Sequence, residues 1–178
     1  MNTVETIRKF HACDTAIEWS LSIPDPRDAW ERCERGDWLL WISAELGVDR
    51  RTIVLAACAC ARTALQYVPP GEDRPRLAIE MVEAWCRGEA TIEDVRTSSR
   101  AAYAAADADA DAADAYADAR AAAAAAAAYA AAYAAYAACA ARAAAYSDDA
   151  ERRWQADYIR SVVRNPFLTA AQAAEGTK

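Results

Sequence analysis

Apolar residues in the first ninety positions recur at helical spacing, in runs that stop at prolines or glycines. Ile7 and Phe10, then Ala12, Ala16, Ile17 and Trp19, predict helix over residues 3–20, with Thr3 as N-cap and a break near Asp14. Ile23-Pro24-Asp25-Pro26 ends that run, since proline removes a donor and restricts the residue before it. Residues 27–35 then form a short helix on Trp30 and Cys33, with Gly36 as its C′ residue. Asp37 is expected to cap residues 38–46, where Trp38, Leu39, Leu40, Trp41 and Ile42 stand in a row and imply burial all round. Asp49 caps a helix through Val68 whose inward set is Ile53, Val54, Leu55, Ala57, Cys58, Ala61, Leu65 and Val68. Pro75 sits at or near N1 of a helix that turns Leu77, Ile79, Val82, Trp85 and Cys86 inward and closes at Gly88. Thr91 and Asp94 form a weak capping box ahead of the next helix. A last helix restarts at Ser147-Asp148-Asp149, turns Trp154, Tyr158, Ile159, Val162 and Val163 inward, and ends at Asn165-Pro166.

Residues 101–146 differ from the rest. They are mostly alanine, the best helix former, and hold neither Gly nor Pro. Tyr129, Tyr133 and Tyr136 fall at i, i+4, i+7, and Asp107, Asp111, Asp114 and Asp118 at i, i+4, i+7, i+11. In one unbroken helix, at about 100° per residue, both stripes lie on the same side. A helix over 92–146 would span roughly 80 Å at about 1.5 Å per residue, against a radius of gyration of roughly 16 Å for a domain of this size. A break is therefore expected, at residues 107–111, because aspartate tolerates caps and turns. An alanine face buries little area yet lets backbones approach closely, so the bulkier first half must supply the core.

The resulting expectation is an all-α fold of about seven to nine helices and no strand. It forms one helical domain over 1–178, with a Trp-rich half at 1–90, an Ala/Tyr/Asp-rich half at 91–165 and a loose tail at 166–178. Net charge is −7, without a Lys/Arg cluster of the kind that tracks a nucleic-acid backbone. No nucleic-acid partner and no membrane partner is expected, since Asp, Arg and Tyr recur through the alanine run. Cys13, Cys33, Cys58, Cys60, Cys86 and Cys139 would suggest disulfides, but MNTVETIRKF carries no leader-like apolar stretch. Reduced, mostly buried thiols in a cytoplasmic protein are expected instead.

Candidate chemistry is sparse. Cys58-Ala59-Cys60 on a helix would point its thiols about 200° apart, and His11 is the single histidine, so no metal site is expected. No nucleophile, base and orienting group assemble around His11, and no P-loop or G-x-G-x-x-G occurs. The chain is read as no enzyme and as needing no cofactor. Four aspartates on one face without a second acidic helix make a poor cation cage. Such a stripe keeps an alanine helix soluble. As a surface, Asp107, Asp111, Asp114, Asp118, Tyr129 and Tyr133 form the candidate partner-binding face, acidic and bordered by tyrosine. Ice binding is disfavoured because no threonine occurs between Ala101 and Tyr146.

The order Ala12-Cys13, Trp19, Gly36-Asp37-Trp38-Leu39-Leu40-Trp41, Arg62, Arg74-Pro75-Arg76-Leu77-Ala78-Ile79-Glu80, Ala84-Trp85, Arg87-Gly88-Glu89 and Trp154-Gln155 is distinctive. It resembles immunity protein family five of bacterial polymorphic toxin systems, from about Phe10 to Phe167. The resemblance implies an all-helical cytoplasmic protein that binds and neutralises a cognate toxin domain by protein–protein contact. It brings no catalytic residues. Its signature positions read as structural, with tryptophans in the core and Arg74, Arg76 and Glu80 as an ion-pair cluster. The alternative is a non-enzymatic helical scaffold whose alanine faces pair between copies of the chain.

Overall fold

In a computed structural model of the chain, residues 2–68, 70–108 and 149–168 are described. Among them stand eight α-helices and one 3-10 turn, and no strand, so the all-α expectation holds. In chain order they are α1 (Thr3–Lys9), α2 (Asp14–Ser20), α3 (Pro26–Arg32), α4 (Gly36–Glu45), α5 (Arg50–Ala64), the 3-10 turn Leu65–Tyr67, α6 (Arg74–Arg87), α7 (Ile92–Ala108) and α8 (Asp149–Val162). The start of the last helix expected at residues 147–148 lies outside the described residues. So does nearly all of the break expected at 107–111, since α7 is described only to Ala108.

Several ends follow from local hydrogen bonding. Asp49 accepts from the Thr52 amide at 2.9 Å and starts α5. Thr91 and Asp94 exchange a reciprocal pair at the start of α7, at 3.2 and 2.8 Å. Asn2, not Thr3, caps α1: its side chain accepts from the Glu5 amide while Glu5 accepts from the Asn2 amide. Thr3 is the first helical residue and is buried, so its hydroxyl is not in the capping position.

The core is built around α5, which packs on α4, α6 and α8. Leu39, Leu40, Ile53, Ile79, Val82, Val95, Ile159 and Val163 are fully buried at its centre. On the far side of α6, Ala78 meets Ala102 of α7, both sealed from solvent. That contact is where the alanine-rich composition first allows close helix approach.

Four expected core positions are exposed instead: Leu55, Leu77, Trp154 and Val162. In α5 the buried residues Ile53, Ala57, Cys60 and Ala61 share one arc, and at about 100° per residue Leu55 points to the other side with Arg62. Leu77 stands opposite Pro75, Ile79, Val82 and Cys86 in the same way. In α8 the inward arc is Gln155, Ala156, Ile159 and Val163, leaving Trp154, Tyr158 and Val162 on its flank. Trp154 stacks on Tyr158 with ring centroids 5.5 Å apart rather than entering the core.

Gly36 is not a C′ residue of the preceding helix but the first residue of α4. It is buried against α8, where an added Cβ would lie 3.1 Å from both Gln155 Cβ and Ile159 Cδ1. Asp37 accordingly sits inside the first turn, bonded to Arg35, rather than capping α4. Substituting Gly36→Val is expected to lower unfolding free energy in urea by about 2 kcal/mol or more, with Gly36→Ala milder, because the α4–α8 contact has no slack.

Three helices end in one pattern, in which a residue at the cap or just past it is left-handed, and its amide and the next one reach back to the last carbonyls of the helix. Gly47 and Gly88 serve α4 and α6 in this way. At α1 the residue is His11, with φ 58°; its amide donates to Arg8 and that of Ala12 to Ile7. An L-side chain there carries a steric cost. His11→Gly is expected to raise thermal stability by about 0.5–1 kcal/mol, measured as a higher Tm.

Candidate functional site

Asp107, the first residue of the acidic stripe, falls in the last turn of α7. Its side chain lies outside the described part of the structure, as do Asp111, Asp114, Asp118, Tyr129 and Tyr133 in full. The site that the described residues do form is a different one.

It begins with a helix end. The last carbonyls of α3 have no intrahelical donor, and Arg160 of α8 supplies one. Its Nη1 donates to the Trp30 and Cys33 carbonyls at 3.2 and 2.6 Å, while Nη2 donates to Asp157 at 2.7 Å. A cation at a helix C-terminus also opposes the negative end of the helix dipole. Close by, Asn165 donates to Glu31 at 3.0 Å and accepts from the Phe167 amide at 3.1 Å. Arg153 pairs with Glu34 at 3.3 Å. The corner between α3 and α4 is thereby fixed from a segment more than 110 residues away in sequence.

That corner projects Arg35 over the Trp38 ring, 4.8 Å from its centroid. Arg35 is held in a fork: Nε donates to Asp37 Oδ1 at 2.8 Å and Nη2 to Oδ2 at 2.5 Å. The hydrogen bonds to Asp37 push the Arg35 pKa above its ordinary value, so it stays charged. Trp38 meets Trp19 of α2 edge to face, centroids 5.7 Å apart at 61°. Arg32, Glu34 and Arg152 complete a cleft of about 330 Å³ above this pair.

Trp19, Cys33 and Trp38 also line a smaller apolar cavity of about 50 Å³ beneath, reaching Thr3, Trp30 and Leu39. Cys33 lies between the two, and its thiol is pushed up to about 12 by burial. It is therefore held as the neutral thiol at neutral pH. Burial likewise raises Cys58, and it raises Cys86 to about 11. Of the five described cysteines Cys13 alone is exposed, and all five are free thiols. No group of three metal-ligating side chains occurs among the described residues. No helix among them is long and apolar enough to cross a membrane.

The Arg74, Arg76 and Glu80 cluster divides in two. Arg74 pairs with Glu72, whose carboxyl is lowered to about 2 by that hydrogen bond. Arg76 bridges Asp73 at 3.1 Å and Glu80 at 2.8 Å. Arg62 crosses from α5 to Glu83 of α6 through two bonds of 2.8 and 2.7 Å. The Arg62–Glu83 pair braces the α5–α6 packing away from the cleft, whereas the Arg74 and Arg76 pairs are local to the start of α6.

Sequence reasoning missed the cleft. Arg35 and Trp38 stand three apart, a spacing that signals a local contact, but Trp19 and Arg152 reach them only through the packing of α2 and α8.

A raised thiol pKa favours the folded state below the unfolded value, near 9, and that contribution is lost as pH climbs through the folded value. Stability is therefore expected to fall between pH 9 and about 12 in part through Cys33. Cys33→Ala should make that decline shallower in urea titrations at pH 8 and 11. At neutral pH, Cys13 should react with a thiol reagent well before Cys33, Cys58 or Cys86 does.

The family model described as "Imm-5 like putative immunity protein" matches residues 47–162. The matched span includes Arg62 and the Arg74–Glu80 segment and leaves out Gly36–Trp41. No curated protein and no solved structure matches the chain.

Proposed function

The chain belongs to the Imm-5 like putative immunity protein family, and from that premise we propose that it binds a toxin domain and silences it as a stoichiometric inhibitor. The observation that carries this reading is the family match itself, which runs from the start of α5 through α8 and so includes most of the core. An inhibitor of this kind acts by occlusion: a rigid helical body covers the toxin's working surface and no covalent step is needed.

The net charge of −7 supports a basic partner, drawn in by long-range attraction. Asp107, Asp111, Asp114 and Asp118, with Tyr129 and Tyr133, are the face proposed for that steering. Tyrosine there would add contact area at low entropic cost. The fixed Trp/Arg corner of α3 and α4 supports a second, local contact, because tryptophan and arginine are the residues in which interface energy concentrates.

The test is an affinity capture of the tagged chain from its native host, followed by titration of the recovered partner. A one-to-one partner with a toxin-type domain, whose toxicity or catalytic activity the chain abolishes on mixing, is expected. Recovery of the chain alone, with mass rising with concentration in light scattering, would overturn the reading in favour of self-assembly. Raising ionic strength from about 0.02 to about 0.3 M should slow association roughly tenfold. Combining Asp111→Asn with Asp114→Asn should reduce that salt dependence; unchanged kinetics would remove the steering role and leave the inhibitor intact.

A further inference from the structure

The cleft above Trp19 and Trp38 holds more arginines than carboxylates among its lining side chains, in a chain that is acidic as a whole. Three guanidinium groups, those of Arg32, Arg35 and Arg152, line it with the Glu34 carboxylate, while Asp37 beneath pairs with Arg35 and Arg152 has an interaction of its own. In a protein of net charge −7 such a concentration of positive charge runs against the average field. Two of its parts, Arg35 and Glu34, are held in place. Arg35 is fixed by Asp37 below and Trp38 beside it. Glu34 is drawn toward Arg153. Arg32 ends α3 with no ion-pair partner among the described residues. Two of the five Arg35 donors are spent on Asp37, and its Nη1 edge contacts no acceptor among those residues.

From this arrangement we propose that the cleft is a carboxylate-binding site that receives an aspartate or glutamate side chain carried on the protein partner. It rests on the inhibitor reading for the source of that side chain. A planar carboxylate fits the guanidinium fork, as the Arg35–Asp37 pair already shows within the same corner. A cleft of about 330 Å³ has room for one long side chain and its flanking backbone, not for a folded element. The indole rings of Trp19 and Trp38 give the cleft apolar walls beside the guanidinium groups. A dianionic phosphate is disfavoured because Glu34 lines the same cleft and Asp37 already takes up two Arg35 donors. The Cys33 thiol, pushed up to about 12, adds no competing negative charge. On a partner that is basic overall, one acidic side chain placed in this cleft fixes the docking register, a specificity device distinct from long-range steering.

The probe is a capped dipeptide, acetyl-glutamyl-alanine amide, titrated into the full chain and followed by tryptophan fluorescence and calorimetry. Its glutamine counterpart and sodium acetate are the controls. The glutamyl peptide is expected to saturate in the millimolar range, with the glutaminyl peptide at least about tenfold weaker. Arg32→Gln should weaken the glutamyl peptide at least about fivefold with circular dichroism unchanged. Glu34→Gln should tighten it about twofold or more, a gain that misfolding cannot imitate. Equal binding of the two peptides, or no response to either variant, would overturn the site. Acetate binding as tightly as the peptide would overturn the protein-borne occupant and leave a site for small carboxylates. Because the probe requires no toxin, failure here and failure of partner capture are separate results.

Discussion

The close seating of α8 on the first residue of α4 is the contact on which the rest of the described structure depends. Gly36 has no side chain, so Gln155 and Ile159 can lie almost against the backbone. That approach places Ile159 and Val163 in the centre of the core beside α5. It also brings Arg160 within reach of the carbonyls that end α3. A helix of seven residues is marginal by itself, and its unpaired carbonyls must find donors. The donor comes from the other end of the chain, so α3 and α8 stabilise each other and neither is independent.

The same contact makes the cleft. With the α3–α4 corner fixed by Arg160, Asn165 and Arg153, the Arg35 guanidinium is held over Trp38 rather than left to sweep through solvent. A side chain whose freedom has already been lost in folding binds with little further entropic cost. This is why an arginine bonded within its own chain is a better recognition group here than an unconstrained one.

Two scales of electrostatics coexist. At distance the chain carries a net charge of −7; at the corner arginines outnumber carboxylates among the side chains that line the proposed carboxylate site. The proposed inhibitor would use both, since long-range attraction raises the rate of encounter and says little about register, whereas a local pair of opposite sign rejects misaligned docking. The thiols do not disturb either scale, because burial keeps Cys33, Cys58 and Cys86 neutral at physiological pH.

The amino-acid sequence by itself determined what depends on neighbours a few residues apart. Asp49, Gly47, Gly88 and the Thr91–Asp94 pair mark their helix ends through bonds of short range, and these ends were legible. Helical periodicity established the all-α class. It defined a buried arc on each helix, but its edges were too blunt to exclude Leu55, Leu77, Trp154 and Val162. Gly36 looked like a helix stop, because a glycine needed for close approach and one needed for a left-handed turn are the same letter. Only the tertiary structure decided between them, by placing α8 there. The cleft was likewise invisible: Trp19, Arg35 and Arg152 share no spacing, and they meet because helix packing, not chain order, sets which side chains become neighbours.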